Sequence, residues 1–270
     1  MSEEQHSPRD IFSDLSGPTL SDPDPTRRAQ IQMKNPLPKR FYKEVTVSQT
    51  EAGYQVLLDG RPVKTPAKSV LALPTQAAAE LVAAEWQAQE TEINPVRMPK
   101  TRLANTAIDG IARELDAVLA DIVNFAGTDL LCYRAESPSS LVAHQAMLWD
   151  PVLFWAADSI GARFILVEGV MHQTQPAEAV SAFAAALSDF ATPLELAALH
   201  TVTTLTGSAL LTLAFARGQI TAEQAWTAAH ADEDWNIEQW GTDAEAQARR
   251  TARWTEMQAA SDMFYAVRAS

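Results

Sequence analysis

Two hydrophobic periods divide the chain. Between residues 41 and 58 apolar positions alternate with polar ones. Phe41, Val45 and Val47 interleave with Tyr42, Glu44 and Thr46, and Tyr54, Val56 and Leu58 repeat the pattern after a turn at Gly53. A period of two is that of a strand with one buried face. Asp59-Gly60 then supplies a hairpin turn, since both central positions of such a turn need positive φ. Residues 61–64 return from it and residues 69–73 add a short strand, which predicts a small antiparallel sheet.

Helical spacing follows. Ala78, Leu81, Val82 and Trp86 share one face of a predicted helix over residues 75–90, which a proline-bounded loop at 93–99 ends. Ser137-Pro138 and Asp150-Pro151 each place a capping side chain before a proline, the pattern of a helix start. Thr192-Pro193-Leu194-Glu195, Thr221-Ala222-Glu223-Gln224 and Thr242-Asp243-Ala244-Glu245 fit the capping box, and Gly218 and Gly241 stand where helices should stop. These signals predict helices over 193–217, 222–240 and 243–267, packed antiparallel because their linkers are short. Trp254, Met257, Phe264 and Val267 form the inner stripe of the last, and Gly207 with Ser208 predicts a close helix approach. The fold class is α+β: a small N-terminal antiparallel β domain over 39–95, then a larger all-α helical domain over 96–270.

Residues 1–38 lack apolar periodicity and hold six of the 15 prolines, so they read as a flexible tail. The tail has neither the charged-then-apolar order of a secretory signal nor the acid-poor composition of a transit peptide, which points to a cytoplasmic protein. With one cysteine, Cys132, an internal disulfide is impossible and a cysteine-based zinc site has no support. A formal charge of −13 argues against nucleic acid and anionic lipid as partners.

The stretch 196–216 carries no charged residue and is long enough to cross a bilayer. His200 and five threonines weaken that reading, and a helix buried in a bundle core is expected instead, without membrane insertion.

Chemistry is sparse. No phosphate-cradling glycine loop, kinase signature or nucleophile elbow occurs, so no enzyme activity and no cofactor are expected. His230, Glu233 and Asp234 fall on adjacent helical positions, but a carboxylate-bridged metal pair needs Glu-x-x-His twice and here the order is reversed and single. Arg102, Asn105 and Asp109 share a face and read as a network tying a helix to the sheet. Trp86 and Trp149 read as core. At helical spacing Trp226, His230, Glu233, Ile237 and Trp240 lie along one side, with Arg249, Arg250 or Arg253 as possible mates for Glu233. Asp234 and Glu238 stand four apart. Carboxylates beside tryptophans make a plausible protein-binding edge, because aromatic anchors dominate such interfaces. A hydrolase or lyase using carboxylates near Glu233 and Glu238 is the alternative, and a general adaptor is a third reading.

Five segments in order resemble one family. "KRFYKEVTV", "YQVLLDGRPVKTPAK", "AAEWQAQETEINPVRMPKTRLANTAID", "YRAESPSSLVAHQAMLWDPVL" and "DEDWNIEQWG" are similar to the Atp-twelve chaperones, which attend the alpha subunit during assembly of the ATP synthase head. The resemblance implies a β-rich domain followed by a helical one, no enzyme activity, and transient binding of an unassembled alpha subunit whose beta-facing surface is shielded. It places the family's functional acidic residue in the segment before Trp-Gly, at Glu233 first and Asp234 next, with Trp235, Glu238 and Trp240 completing the expected partner-binding set. The tail before Lys39 is unlike a mitochondrial presequence, which points to a bacterial member of that family.

Overall fold

The computed structural model describes residues 37–169 and 171–269. The reading of residues 1–38 as a flexible tail falls almost wholly outside them. The described chain divides into two compact units. The first takes the chain to Leu115 and adds Thr192–Ala197 and Asp262–Ser270; the second takes Asp116–Ala191 and Ala198–Ser261. A small antiparallel sheet precedes a predominantly helical remainder, as the change of period predicts.

In the first unit β1 (Val45–Thr50) and β2 (Gly53–Leu58) form a hairpin with Val47 opposite Val56. β2 also pairs with β3 (Arg61–Pro62) through Leu58 and Arg61, and with β4 (Ala72–Leu73) through Tyr54 and Leu73. The Asp59-Gly60 turn has φ of 47° and 77°, the left-handed pair the sequence requires. The Asp59 carboxylate accepts the amides of Lys43 and Glu44 at 3.0 and 2.8 Å, so the turn side chain ties this end of the hairpin to the segment that leads into β1. Gly53 is obligatory: at φ 112° a Cβ there would stand 2.5 Å from the Leu73 carbonyl oxygen.

Helix α1 (Gln76–Gln87) is capped by Thr75, whose Oγ accepts the Ala78 amide at 3.2 Å. Its buried Ala78, Ala79 and Val82, with buried Val56, Leu58, Leu71 and Leu73, form the core of this unit. One expectation is corrected here. Tyr42, not Phe41, points inward: its hydroxyl donates to the Trp86 carbonyl at 2.6 Å, while Phe41 is exposed. The ladder begins only at Val45, so residues 41–44 lie outside the strand pairing that enforces the alternation. Helix α2 (Pro99–Asp109) starts against Glu85, whose carboxylate accepts the Lys100 and Thr101 amides, both at 2.8 Å. At its far end Asp109 accepts Thr65 Oγ at 2.7 Å and the Ala67 amide at 3.0 Å, which ties the helix to the turn after β3; of the three residues expected to form a network, Asp109 makes these bonds, and the buried Asn105 Oδ1 accepts none.

The second unit contains most of α3 (Leu115–Ala126), α4 (Ser139–Ser159), α5 (Ala177–Leu187), most of α6 (Pro193–Thr206), α7 (Ala209–Ala216), α8 (Ala222–Ala229), α9 (Ala231–Trp240) and most of α10 (Ala244–Arg268). A two-residue parallel ladder joins β5 (Tyr133–Arg134) to β6 (Val167–Glu168). Ile122, Leu131, Trp149, Phe183, Leu199 and Phe215 are fully buried in it.

Here five expectations for the helices are corrected. The predicted helix over 193–217 is two helices, broken at Gly207, which has φ 68°. Ser208 then caps α7, its Oγ accepting the Leu211 amide at 3.0 Å. A Cβ at Gly207 would meet nothing within 4 Å, so glycine is there for its backbone angle and not for a close helix approach. The helix over 222–240 is likewise divided, at His230. Asp150-Pro151 lies inside α4 rather than at a start; Trp149, Val152 and Ala156 are buried on both sides of the proline, and their packing carries the helix through it. The boxes at Thr192 and Thr221 form, but α10 is capped by Asp243, which accepts the Ala246 amide at 2.7 Å, while Glu245 turns to Arg249. Among the described residues no helix is long and apolar enough to cross a membrane.

Candidate partner-binding site

Helix α9 is pinned at its start by α4. The Trp149 indole N–H donates to the Ala228 carbonyl at 2.7 Å, at the end of α8, and the Gln145 amide donates to Asp232 at 2.7 Å. The chain breaks between these anchors at buried His230. Its Nδ1 stands 2.8 Å from the Trp226 carbonyl, and since a carbonyl only accepts, that nitrogen carries the proton. Burial holds its pKa below the ordinary histidine value, so the ring is neutral; it lies against Trp226 with centroids 3.9 Å apart.

The break starts a new helix with Asp232, Glu233 and Asp234 in its first turn, where the helix dipole favours negative charge. The three carboxylates have different partners. Asp232 takes Gln145. Asp234 forms an ion pair with Arg250 of α10, a side chain only 16% exposed, and the bond holds the guanidinium above its ordinary pKa. Glu233 stands 3.9 Å from Arg250 and 4.0 Å from His230 Nε2, and its side chain is 45% exposed.

Glu233 borders a cleft of about 540 Å³ with Asn236, Ile237 and Trp240 of α9 and Thr242, Asp243 and Ala246 beyond it. Gly241, at φ 79°, ends the helix and turns the chain along the cleft. Trp240 is 83% exposed. A neighbouring cleft of about 320 Å³ lies among Glu223, Trp226, Thr227, Arg250, Thr251 and Trp254. Of the five residues expected from sequence, Glu233 and Trp240 therefore meet at one cleft. Asp234 faces Arg250, Trp235 is half-buried, and Glu238 is exposed and lies outside the cleft lining. Among the candidate mates of Glu233, Arg250 is the one nearby; Arg249 takes Glu245 and Arg253 donates to the Leu205 carbonyl. Sequence reasoning missed Gln145, Asp232 and Asp243, whose roles depend on contacts that no local pattern encodes.

Other polar groups in the second unit serve the fold. The buried Asp129 carboxylate accepts Ser208 Oγ at 2.7 Å, the Leu210 amide at 2.9 Å and the Leu131 amide at 3.0 Å; burial pushes it up to about 6 against these donors. Burial, with Asp129 nearby, pushes the Cys132 thiol up to about 12, which leaves no thiolate nucleophile at neutral pH. His200 Nε2 meets Asp121 at 2.8 Å, both buried. In the first unit a larger cavity of about 720 Å³ is walled by Leu73, Pro74, Ala104, Ile108 and Val267; its Glu195 and Arg268 are paired with each other at 2.6 Å. Among the described residues no three His, Cys, Asp or Glu side chains converge as metal ligands would.

The chain matches a family model described as the ATP12 chaperone protein over residues 39–157. It is similar to a chaperone candidate from Agrobacterium tumefaciens, with 57% identity, 96% of each chain covered and a TM-score of 0.83. It is similar to Atp12 from Paracoccus denitrificans, with 40% identity over 85% of this chain and 98% of that one and a TM-score of 0.79. An aspartate-to-lysine mutant of the Paracoccus protein matches equally well. The mitochondrial protein atp12 of Schizosaccharomyces pombe is 23% identical over 231 residues, 80% of this chain and 78% of that protein.

Proposed function

Because the chain belongs to the ATP12 chaperone family, we propose that it holds the unassembled alpha subunit of ATP synthase and covers the surface that subunit later turns to beta. Membership makes it a chaperone of ATP synthase assembly. The alpha subunit as client, the acidic edge of α9 as contact, work in the cytoplasm and the absence of catalysis are parts of the proposal.

One observation carries the choice of site. Trp240 stands almost wholly in solvent beside the half-exposed carboxylate of Glu233, at a cleft that both side chains line. An indole left in water has not been used to build the core, and tryptophan is the side chain most enriched among interface anchors. Glu233 would meet a basic or donor-rich spot beside the apolar one that Trp240 covers. Such a contact is small and wet at its edge. It suits a holder that must protect an aggregation-prone face and then leave, which calls for moderate affinity and a fast off-rate.

The test is capture from a lysate by the tagged chain. Selective recovery of the alpha subunit over beta is expected. Recovery of many unrelated proteins with no enrichment of alpha would favour a general adaptor and overturn the reading.

A further inference from the structure

Exposed apolar side chains are concentrated in one short part of the second unit, and none of them lines the cleft. Six of the 12 large hydrophobic residues most open to solvent among the described residues fall between 142 and 171: Val142, Met147, Phe154, Ile165, Leu166 and Met171. Met147 and Phe154, 65% and 71% exposed, stand seven apart on α4 with exposed Pro151 between them, so they share one face. The opposite face, with Gln145, Trp149, Val152 and Ala156, is buried. Core packing therefore accounts for one side of α4 and leaves the other unexplained.

The following loop is tied to that helix. Arg134 of β5 donates to Asp150 of α4 at 2.7 Å and pairs through its backbone with Glu168 of β6. Ile165 and Leu166 immediately precede β6, and Gln175 bonds both the amide and the carbonyl of Ile165, at 2.8 and 3.0 Å. The loop is fastened by backbone while its apolar side chains stay in water.

The charge is one-sided. Residues 135–216 contain a single basic residue, exposed Arg163, against seven acids: Glu136, Asp150, Asp158, Glu168, Glu178, Asp189 and Glu195. Asp150 is neutralised by Arg134, whereas Glu136, Asp158 and Glu168 are exposed around the apolar stretch. A second copy of a chain with net charge −13 would be repelled here. We propose that the outer face of α4 with Ile165, Leu166 and Met171 forms a second docking surface, which takes an apolar patch of the alpha subunit rimmed by lysine or arginine. Methionine and phenylalanine suit a surface that must adapt to a client not yet locked into its complex. This inference rests on the alpha subunit being the client.

The test measures binding of labelled alpha subunit to the full chain, to the double variant Met147→Ser/Phe154→Ser, and to Asp158→Arg. The double variant should lose about tenfold in affinity with an unchanged melt, while Met147→Leu/Phe154→Leu retains binding. Asp158→Arg should weaken binding several-fold, and the wild-type affinity should fall with added salt. Wild-type binding undiminished in both the double variant and Asp158→Arg overturns the surface and leaves the client reading intact. No binding by the wild-type chain overturns both. A wild-type dimer that the double variant dissociates would assign the face to self-association and also overturn the inference.

Discussion

Arg250 closes on Asp234 and stands off from Glu233 by 3.9 Å, although the two carboxylates are neighbours in sequence. Asp234 is thus committed within the protein, and Glu233 is the carboxylate left to reach outward. Glu233→Lys should shift stability by no more than about 1 kcal/mol, since the charge it removes is half-exposed and loosely paired. It should weaken alpha-subunit binding by about 2 kcal/mol or more. Asp234→Ala should do the reverse, costing about 1 kcal/mol of stability by releasing a mostly buried guanidinium. Thermal melts and binding isotherms on both variants separate the roles. Two variants with the same pair of losses would contradict the division.

Trp240→Ala should leave the melt unchanged and cost about 2 kcal/mol in client binding. The indole is 83% exposed, so its truncation opens no cavity. Unaltered binding by isothermal titration would remove Trp240 from the interface.

Features encoded within a few residues were legible in the sequence. Asp59-Gly60 and Thr221 with Gln224 each announce a turn or cap through their own side chains and dihedral demands. The shared side of Glu233 and Trp240 follows from helical spacing alone. The break at Gly207 was hidden because the uncharged run on either side keeps a helical composition. The helix breaks at Gly207 with its φ of 68°, and Asp129, 79 residues earlier, takes the Ser208 hydroxyl at the start of the next helix. The choice of Asp234 over Glu233 by Arg250 depends on how α10 passes α9. The outer face of α4 was hidden for another reason: the helix is apolar on both sides, so no amphipathic pattern marks which one is covered.

The Asp129 junction gives a stability prediction. Asp129→Ala would leave the Ser208 hydroxyl and the Leu210 and Leu131 amides buried without their acceptor. Each orphaned buried group costs about 1–3 kcal/mol, so a loss of several kcal/mol is expected, visible as a large fall in the denaturant midpoint. A loss under about 1 kcal/mol would show that the break does not depend on this side chain.

His230 gives a pH dependence. Its folded pKa lies below the ordinary 6.5 because burial disfavours the charged ring, so the unfolded chain binds the proton more readily. Its contribution to stability is complete above pH 6.5 and is lost as pH falls through the depressed folded value. On acidification below 6.5 the denaturant midpoint of the native chain should therefore fall relative to that of His230→Gln; Asp129, raised to about 6, acts in the opposite sense in both proteins. Equal slopes in the two proteins would assign the acid sensitivity elsewhere.

As proposed above, the chain shields the face by which the alpha subunit meets beta. Light scattering by purified unassembled alpha subunit tests it most directly, with the chaperone added first and the beta subunit afterwards. A stoichiometric amount of the chain should suppress aggregation, and beta should then displace it, leaving alpha–beta complex and free chaperone on a sizing column. Undiminished scattering, or a stable complex of all three proteins with the chain still bound after beta arrives, would contradict it.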